Sequence, residues 1–280
     1  MRTVAILGAG ELGGVVARTL ADGDTVSCVR LIDPEARTVA AGKALDIRQA
    51  GPIEGFDTRV EGFADEHAFA GADLIVLADR HDGSAWAIDG TLDLLRRVTG
   101  LAPRAPLLFA GADHRDLMAA VLQAGILPPA RLVGSAPAAA AAAVRALTAP
   151  LLDASPTDIA VPVLGLPPSW VLAWSHATAA GAPADGLPGF EQARVERMLA
   201  ASWPPGAYSL ASAAAMVARA MLTSSRRRAS CFAAVPTMGP NRTIVGVPVL
   251  LNPSGVARIA VPDLAPRERV ALETVLYSGL

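Results

Sequence analysis

The first half of the chain alternates between two hydrophobic rhythms. Thr3 to Leu7 is a short apolar, β-branched run, and the stretch from Glu11 to Asp22 repeats apolar residues every three or four positions. The first pattern is a buried strand and the second a helix with one buried face. Cys28 to Ile32 is a second apolar run, and 35–48 returns to helical spacing, with a stop expected at Gly51-Pro52. Val60 to Phe63 reads as a short strand. Leu74 to Ala78 is wholly apolar, of the kind buried on both faces of a parallel sheet. A polar loop over 79–84, a helix over 86–99, a strand at Pro106 to Ala110, a helix from Asp113 to about Gly125 and a strand over 131–134 complete the series. Strands alternating with helices predict a doubly wound parallel sheet, an α/β Rossmann arrangement.

Beyond Gly134 the rhythm changes. Pro137, the run Ala138 to Ala143 and Val144 to Leu147 predict a helix with a very small first half. Strands are expected at 159–164, 170–174, 229–235 and 243–251, helices at 190–200 and 208–222, and a last helix from Pro266. Grouped strands and helices predict an α+β second domain, so the expected division is 1–134 and 135–280.

Hydrophobic content of 52% against 18% charged is that of a chain that buries a core. With 24 basic and 26 acidic residues the net charge is -2, so there is no basic field to recruit nucleic acid or an anionic membrane. Charged residues or proline break the apolar runs before the ~18 residues a membrane span needs. The first strand opens at residue 3 with no leader pattern before it, and a cytoplasmic protein is expected. Cys28 and Cys231 sit inside apolar strands, as buried thiols rather than a disulfide, and no metal site is expected.

Chemistry enters at Gly8-Ala-Gly10-Glu-Leu-Gly13. Gly8 allows a tight turn, Gly10 lets a diphosphate approach the backbone, and Gly13 lets the following helix lie close to the strand. The helix start adds free N–H groups and partial positive charge. Asp33 closes the second strand about 20 residues after Gly13, where a carboxylate accepts both hydroxyls of an adenosine ribose and repels a 2′-phosphate. The expected cofactor is NAD, held by Gly8, Gly10, Glu11, Leu12, Gly13, Asp33 and Ala78.

The order of pieces resembles the lactate/malate dehydrogenase family along nearly the whole chain. The glycine turn with Asp33, Ala44 to Ala50, Trp174-Ser-His-Ala-Thr-Ala-Ala-Gly181, Tyr208 to Ala215 and Val245 to Val256 carry the likeness. The resemblance implies a Rossmann domain followed by an α+β domain, hydride transfer between NAD and a 2-hydroxy acid, and a homodimer or homotetramer. It also implies a catalytic His oriented by an Asp, one Arg on the substrate carboxylate and a lid Arg. Those positions depart from the pattern. The His position falls on Pro167, and the Asp and Arg of the catalytic helix fall on Ala140 and Ala143. Arg145 matches a different arginine of that helix, the lid Arg aligns with Trp86, and the turn that should begin with Asn reads Asp113-His-Arg-Asp116.

A proline side chain carries no proton, and alanine offers no fork for a carboxylate. Turnover of malate or lactate is therefore not expected. Among the remaining groups, His114 with Asp113, and His81, lie just past the carboxyl ends of strands and are the candidate proton carriers. Asp113 could equally cap the helix after it. His67 and His176 read as surface or packed side chains. A pocket floored by alanines, Pro167 and Pro168 would suit an uncharged small molecule or none. Two readings stay open: an NAD(H)-binding protein without hydroxy-acid chemistry, serving as sensor, scaffold or silent subunit, or an oxidoreductase for an uncharged alcohol or carbonyl or with residual malate or lactate dehydrogenase activity.

Overall fold

The computed structural model describes residues 2–184, 186–223, 227–236 and 242–278. The first half is the expected alternation. β1 (Thr3–Leu7), α1 (Glu11–Ala21), β2 (Cys28–Ile32), α2 (Arg37–Glu54), β3 (Arg59–Phe63) and β4 (Leu74–Leu77) come first. Then follow α3 (Ile88–Leu101), β5 (Leu107–Phe109), α4 (Arg115–Gln123) and β6 (Leu132–Gly134). The six strands run parallel in the order β3-β2-β1-β4-β5-β6. The order reverses between β1 and β4, and the crevice beyond the carboxyl ends there is where open α/β sheets bind ligands. Helices cover both faces, so Val4 to Leu7 and Leu74 to Leu77 have no exposed surface.

The second half comprises α5 (Ala136–Thr148), β7 (Ile159–Ala160), β8 (Val163–Gly165), β9 (Trp170–Leu172), β10 (Thr178–Ala179) and β11 (Ala182–Pro183). It continues with α6 (Gly189–Ala201), α7 (Ala207–Leu222), β12 (Arg228–Pro236), β13 (Arg242–Asn252), β14 (Gly255–Ile259) and α8 (Pro266–Ser278). β7, β10 and β11 form a small antiparallel sheet of their own, and the other strands join the first sheet. β12 pairs antiparallel with β6 through Phe232 and Gly134, and β13, β8 and β9 extend the same sheet, with β14 beside β13. Gly134 makes the join possible, because a Cβ there would stand 2.8 Å from that of Phe232. Helix α7 crosses back to pack on α1, tying the halves together.

β10, β11 and β14 were not expected, and three expected elements differ in extent. Helix α2 runs through Gly51-Pro52 to Glu54 and ends at Gly55, in the left-handed region at φ +84°. Proline crowds the side chain of the residue before it, and Gly51 has none to crowd. The strand expected over 159–164 is split, because Pro162 has no N–H for the ladder. The strand begun at Trp170 stops at Leu172, and a single helical turn occupies 174–176. Among the described residues no helix is long and apolar enough to cross a membrane.

Candidate functional site

The glycine turn joins β1 to α1 and faces the end of β4. Gly8 sits at φ +102°, and a Cβ there would overlap the Asp79 carbonyl; at Gly13 it would overlap the Gly8 carbonyl. These two positions are closed to any side chain. Asp33, 3% exposed, ends β2 and accepts hydrogen bonds from the Ala9 and Glu35 N–H groups, both at 3.1 Å. Its carboxylate is thereby fixed on the turn where ribose hydroxyls were expected. Ala78 is buried under the turn, Glu11 is exposed in the first turn of α1, and Lys43 from α2 donates to the Gly10 carbonyl.

The residue after Ala78 is an actor the sequence reading missed. Asp79 Oδ2 accepts from Leu12 N–H at 3.0 Å and Oδ1 from Gly13 N–H at 2.9 Å. The hollow that Gly10 leaves beside the backbone holds this carboxylate. Arg80 pairs with Glu35 and lies over the Trp86 ring, 5.5 Å from its centroid. His81 Nδ1 lies 3.5 Å from Asp33 Oδ2, at the adenosine end of the site. The signal in the sequence was position: β4 neighbours β1, so an acid placed directly after β4 must face the turn after β1.

A cleft of about 460 Å³ opens from the turn across the carboxyl end of the sheet. Leu12, Asp79 and Trp86 form one side, Asp113 and His114 another, and Trp203 to Pro205 with the start of α7 the third. His81 is not part of its wall, so of the two candidate proton carriers only His114 faces the cleft. His114 is buried, and its Nδ1 accepts from the Gly111 N–H at 3.1 Å. Burial pushes its pKa below the ordinary value, against an opposing pull from Asp113 and Asp79. A neutral ring whose Nδ1 is an acceptor carries its proton on Nε2, so His114 acts as a hydrogen-bond donor rather than a ready base. Nε2 lies 3.9 Å from Asp113 Oδ1. Asp113 does not cap α4, which begins at Arg115 with no side-chain cap; that alternative is corrected.

The positions where the family likeness placed the Asp and Arg of the catalytic helix are apolar. Ala140 is buried and Ala143 half-buried on α5, and both line a separate hollow of about 490 Å³ with Leu199, Trp203 and Pro205. Pro167 and Pro168 are not among the walls of this hollow. Trp203 lines both the cleft and this hollow. It meets Trp170 edge-on at 5.2 Å, and Trp170 stacks on Phe232 at 6.1 Å. Trp86, aligned with the lid Arg, donates its indole N–H to the Ala78 carbonyl at 2.6 Å. His67 is exposed beside Asp65, and His176 bonds the Asp263 carbonyl at 2.7 Å. Cys28 and Cys231 are both buried and free.

A Rossmann sheet continued by antiparallel strands, with its cleft at the β1/β4 crevice, defines the class as a dehydrogenase fold. The chain is 32% identical to a malate dehydrogenase of Thermomicrobium roseum, over 97% of this chain and 94% of that one. Its fold matches the malate dehydrogenase of Salinibacter ruber at TM-score 0.85 and 25% identity, covering 99% and 94% of the two chains. It also matches the lactate dehydrogenase of Cryptosporidium parvum complexed with lactic acid and nicotinamide adenine dinucleotide, at TM-score 0.87 and 21% identity over 99% and 95%. No protein-family model matches. The chain belongs to the lactate/malate dehydrogenase family, as the sequence resemblance implied.

Proposed function

We propose that this chain is an NAD(H)-binding member of the family that no longer turns over malate or lactate. Its role is that of a redox-cofactor sensor, a structural partner or a silent subunit beside an active homologue. The observation that carries the reading is the charge of the cleft. Asp79 and Asp113 line it and no Lys or Arg does among the described residues, while Pro167, Ala140 and Ala143 stand where His, Asp and Arg are needed. A carboxylate substrate would meet two like charges with no counter-charge to offset its desolvation.

The cofactor site fits in its adenosine half. Asp33 would accept the ribose hydroxyls, and the Gly8–Gly13 turn with the first N–H groups of α1 would take the diphosphate, once the Asp79 side chain leaves it. Bound NAD would supply a hydride acceptor, and no residue here offers the base to accompany it on a hydroxy acid. A second reading rests on His114: an Nε2–H facing the cleft could polarise an uncharged carbonyl in an oxidoreductase of other specificity. Residues 1–134 would then serve the nucleotide and 135–280 the substrate and association. Leu45 and Ile53, exposed on α2, support a homodimer or homotetramer joined through that helix. Two free buried thiols suit a reducing cytoplasm.

The test is NADH titration by calorimetry, followed by a screen of hydroxy acids, alcohols and carbonyls. Binding without turnover is the expected result. Reduction of oxaloacetate or pyruvate at an ordinary rate sinks the first reading, and turnover of an uncharged carbonyl lost in His114→Ala selects the second.

A further inference from the structure

We propose that Asp79 is an internal competitor for the diphosphate site and the residue that sets how tightly this chain holds a dinucleotide. This rests on the reading of the chain as an NAD(H) binder. The N–H groups of a helix's first turn have no partners within the helix and form a ready anion site. In α1 two of them are already taken, Leu12 N–H by one oxygen of Asp79 at 3.0 Å and Gly13 N–H by the other at 2.9 Å. The carboxylate lies in the hollow beside Gly10, the path by which a phosphate would reach the backbone. One anion fills the site, and a diphosphate needs the same donors and the same space.

The closed arrangement is only partly satisfied next door. Arg80 Nε and His81 Nδ1 are buried without a hydrogen bond, although Asp82 and Asp33 stand 3.6 and 3.5 Å away. The segment 79–81 thus follows the track expected for the diphosphate and ribose, its acid on the glycine turn and its imidazole over Asp33. Its fit is looser at the ribose end. Asp79 also lines the cleft, so a turn of its side chain has room to carry the carboxylate off α1. Only the fraction of molecules with Asp79 turned away can bind, and the apparent dissociation constant rises by the inverse of that fraction.

The experiment titrates wild type, Asp79→Asn and Asp79→Ala with NADH and, separately, with inorganic pyrophosphate, by calorimetry at one salt concentration. Thermal melts with and without NADH accompany the titrations. Two charge-assisted bonds hold the latch, so Asp79→Ala is expected to bind both ligands about tenfold more tightly or better. Asp79→Asn, which keeps the volume but not the charge, is expected between the two. NADH should raise the melting temperature of Asp79→Ala further than that of wild type, although the unliganded variant melts lower. Variants that bind no tighter than a wild type that does bind overturn the latch and leave the cofactor reading standing. If no form binds NADH or pyrophosphate, the cofactor reading falls and the latch with it. Should Asp79→Ala fail to fold, Asp79→Asn decides in the same sense.

Discussion

The glycine turn and the alanine face of α5 belong to one chain and, on the reading proposed above, have met opposite fates. At the turn, recognition is written in the backbone: N–H groups at the start of α1 and positions where a side chain cannot fit. Strand packing maintains those groups whatever the neighbouring side chains become. On α5 and in the loop after β8, the family likeness places each task on a single side chain, and on the reading proposed above Ala140, Ala143 and Pro167 perform none of them. The helix and the loop are still built, because alanine is the best helix former and the loop's strands pair without a histidine. A site carried by side chains can vanish without disturbing the fold; one carried by the backbone can be blocked far more readily than erased.

The largest expected effect is in catalysis. Oxaloacetate reduction followed by NADH absorbance should run at least about 10⁴-fold below that of an active relative. Pro167→His alone should recover less than about tenfold, because acid, base and anchor act as a unit. Substantial rescue by that one change would break the contrast between the two regions. Next is Asp33→Ala, which leaves the Ala9 and Glu35 N–H groups without their acceptor. It should cost about 2 kcal/mol of stability in a denaturant melt and most of any NADH affinity. Unchanged NADH affinity would remove Asp33 from the nucleotide site.

Trp203→Ala should lower stability by about 1 to 3 kcal/mol, through the lost edge contact with Trp170 and a cavity that joins cleft and alanine hollow. A neutral result in chemical denaturation would show that this aromatic wall holds nothing up. A smaller effect concerns pH. His114 is held neutral by burial in the fold, whereas the unfolded chain takes up a proton near pH ~6.5. The unfolded state therefore binds more protons on acidification, and stability falls as pH drops through that value toward the lowered folded one. His114→Gln should flatten this part of the profile of melting temperature against pH; an unaltered slope assigns the dependence elsewhere. The smallest effect is one of timing. Cys28 in β2 and Cys231 in β12 label opposite halves of one sheet, and burial pushes the Cys231 thiol up to about 12. Both should resist alkylation in the native protein and become reactive in a single denaturant transition. Separate transitions would show that the halves unfold independently.

Most of the architecture was legible in periodicity, because buried parallel strands and one-faced helices leave distinct rhythms. The Gly51-Pro52 stop was misplaced because the glycine before a proline relieves the crowding that normally ends a helix. Pro162 splits a strand for the opposite reason, a missing N–H in a ladder that needed one. At the site, the glycines and Asp33 were readable because their roles follow from local spacing. Asp79 was not, since its role depends on β4 lying beside β1, a pairing between residues about seventy positions apart. His81 and His114 looked equivalent in sequence, each just past a strand. They separate because the loop after β4 carries His81 to the ribose acid, while His114, after β5, lines the cleft.

The chain holds four tryptophans, and Trp86 and Trp203 both look into the cleft from different walls. An emitter on each side makes the opening a natural optical gauge. A reduced nicotinamide lodged between them would drain their excitation by resonance transfer, so the unlabelled protein can report its own occupancy as a loss of ultraviolet glow.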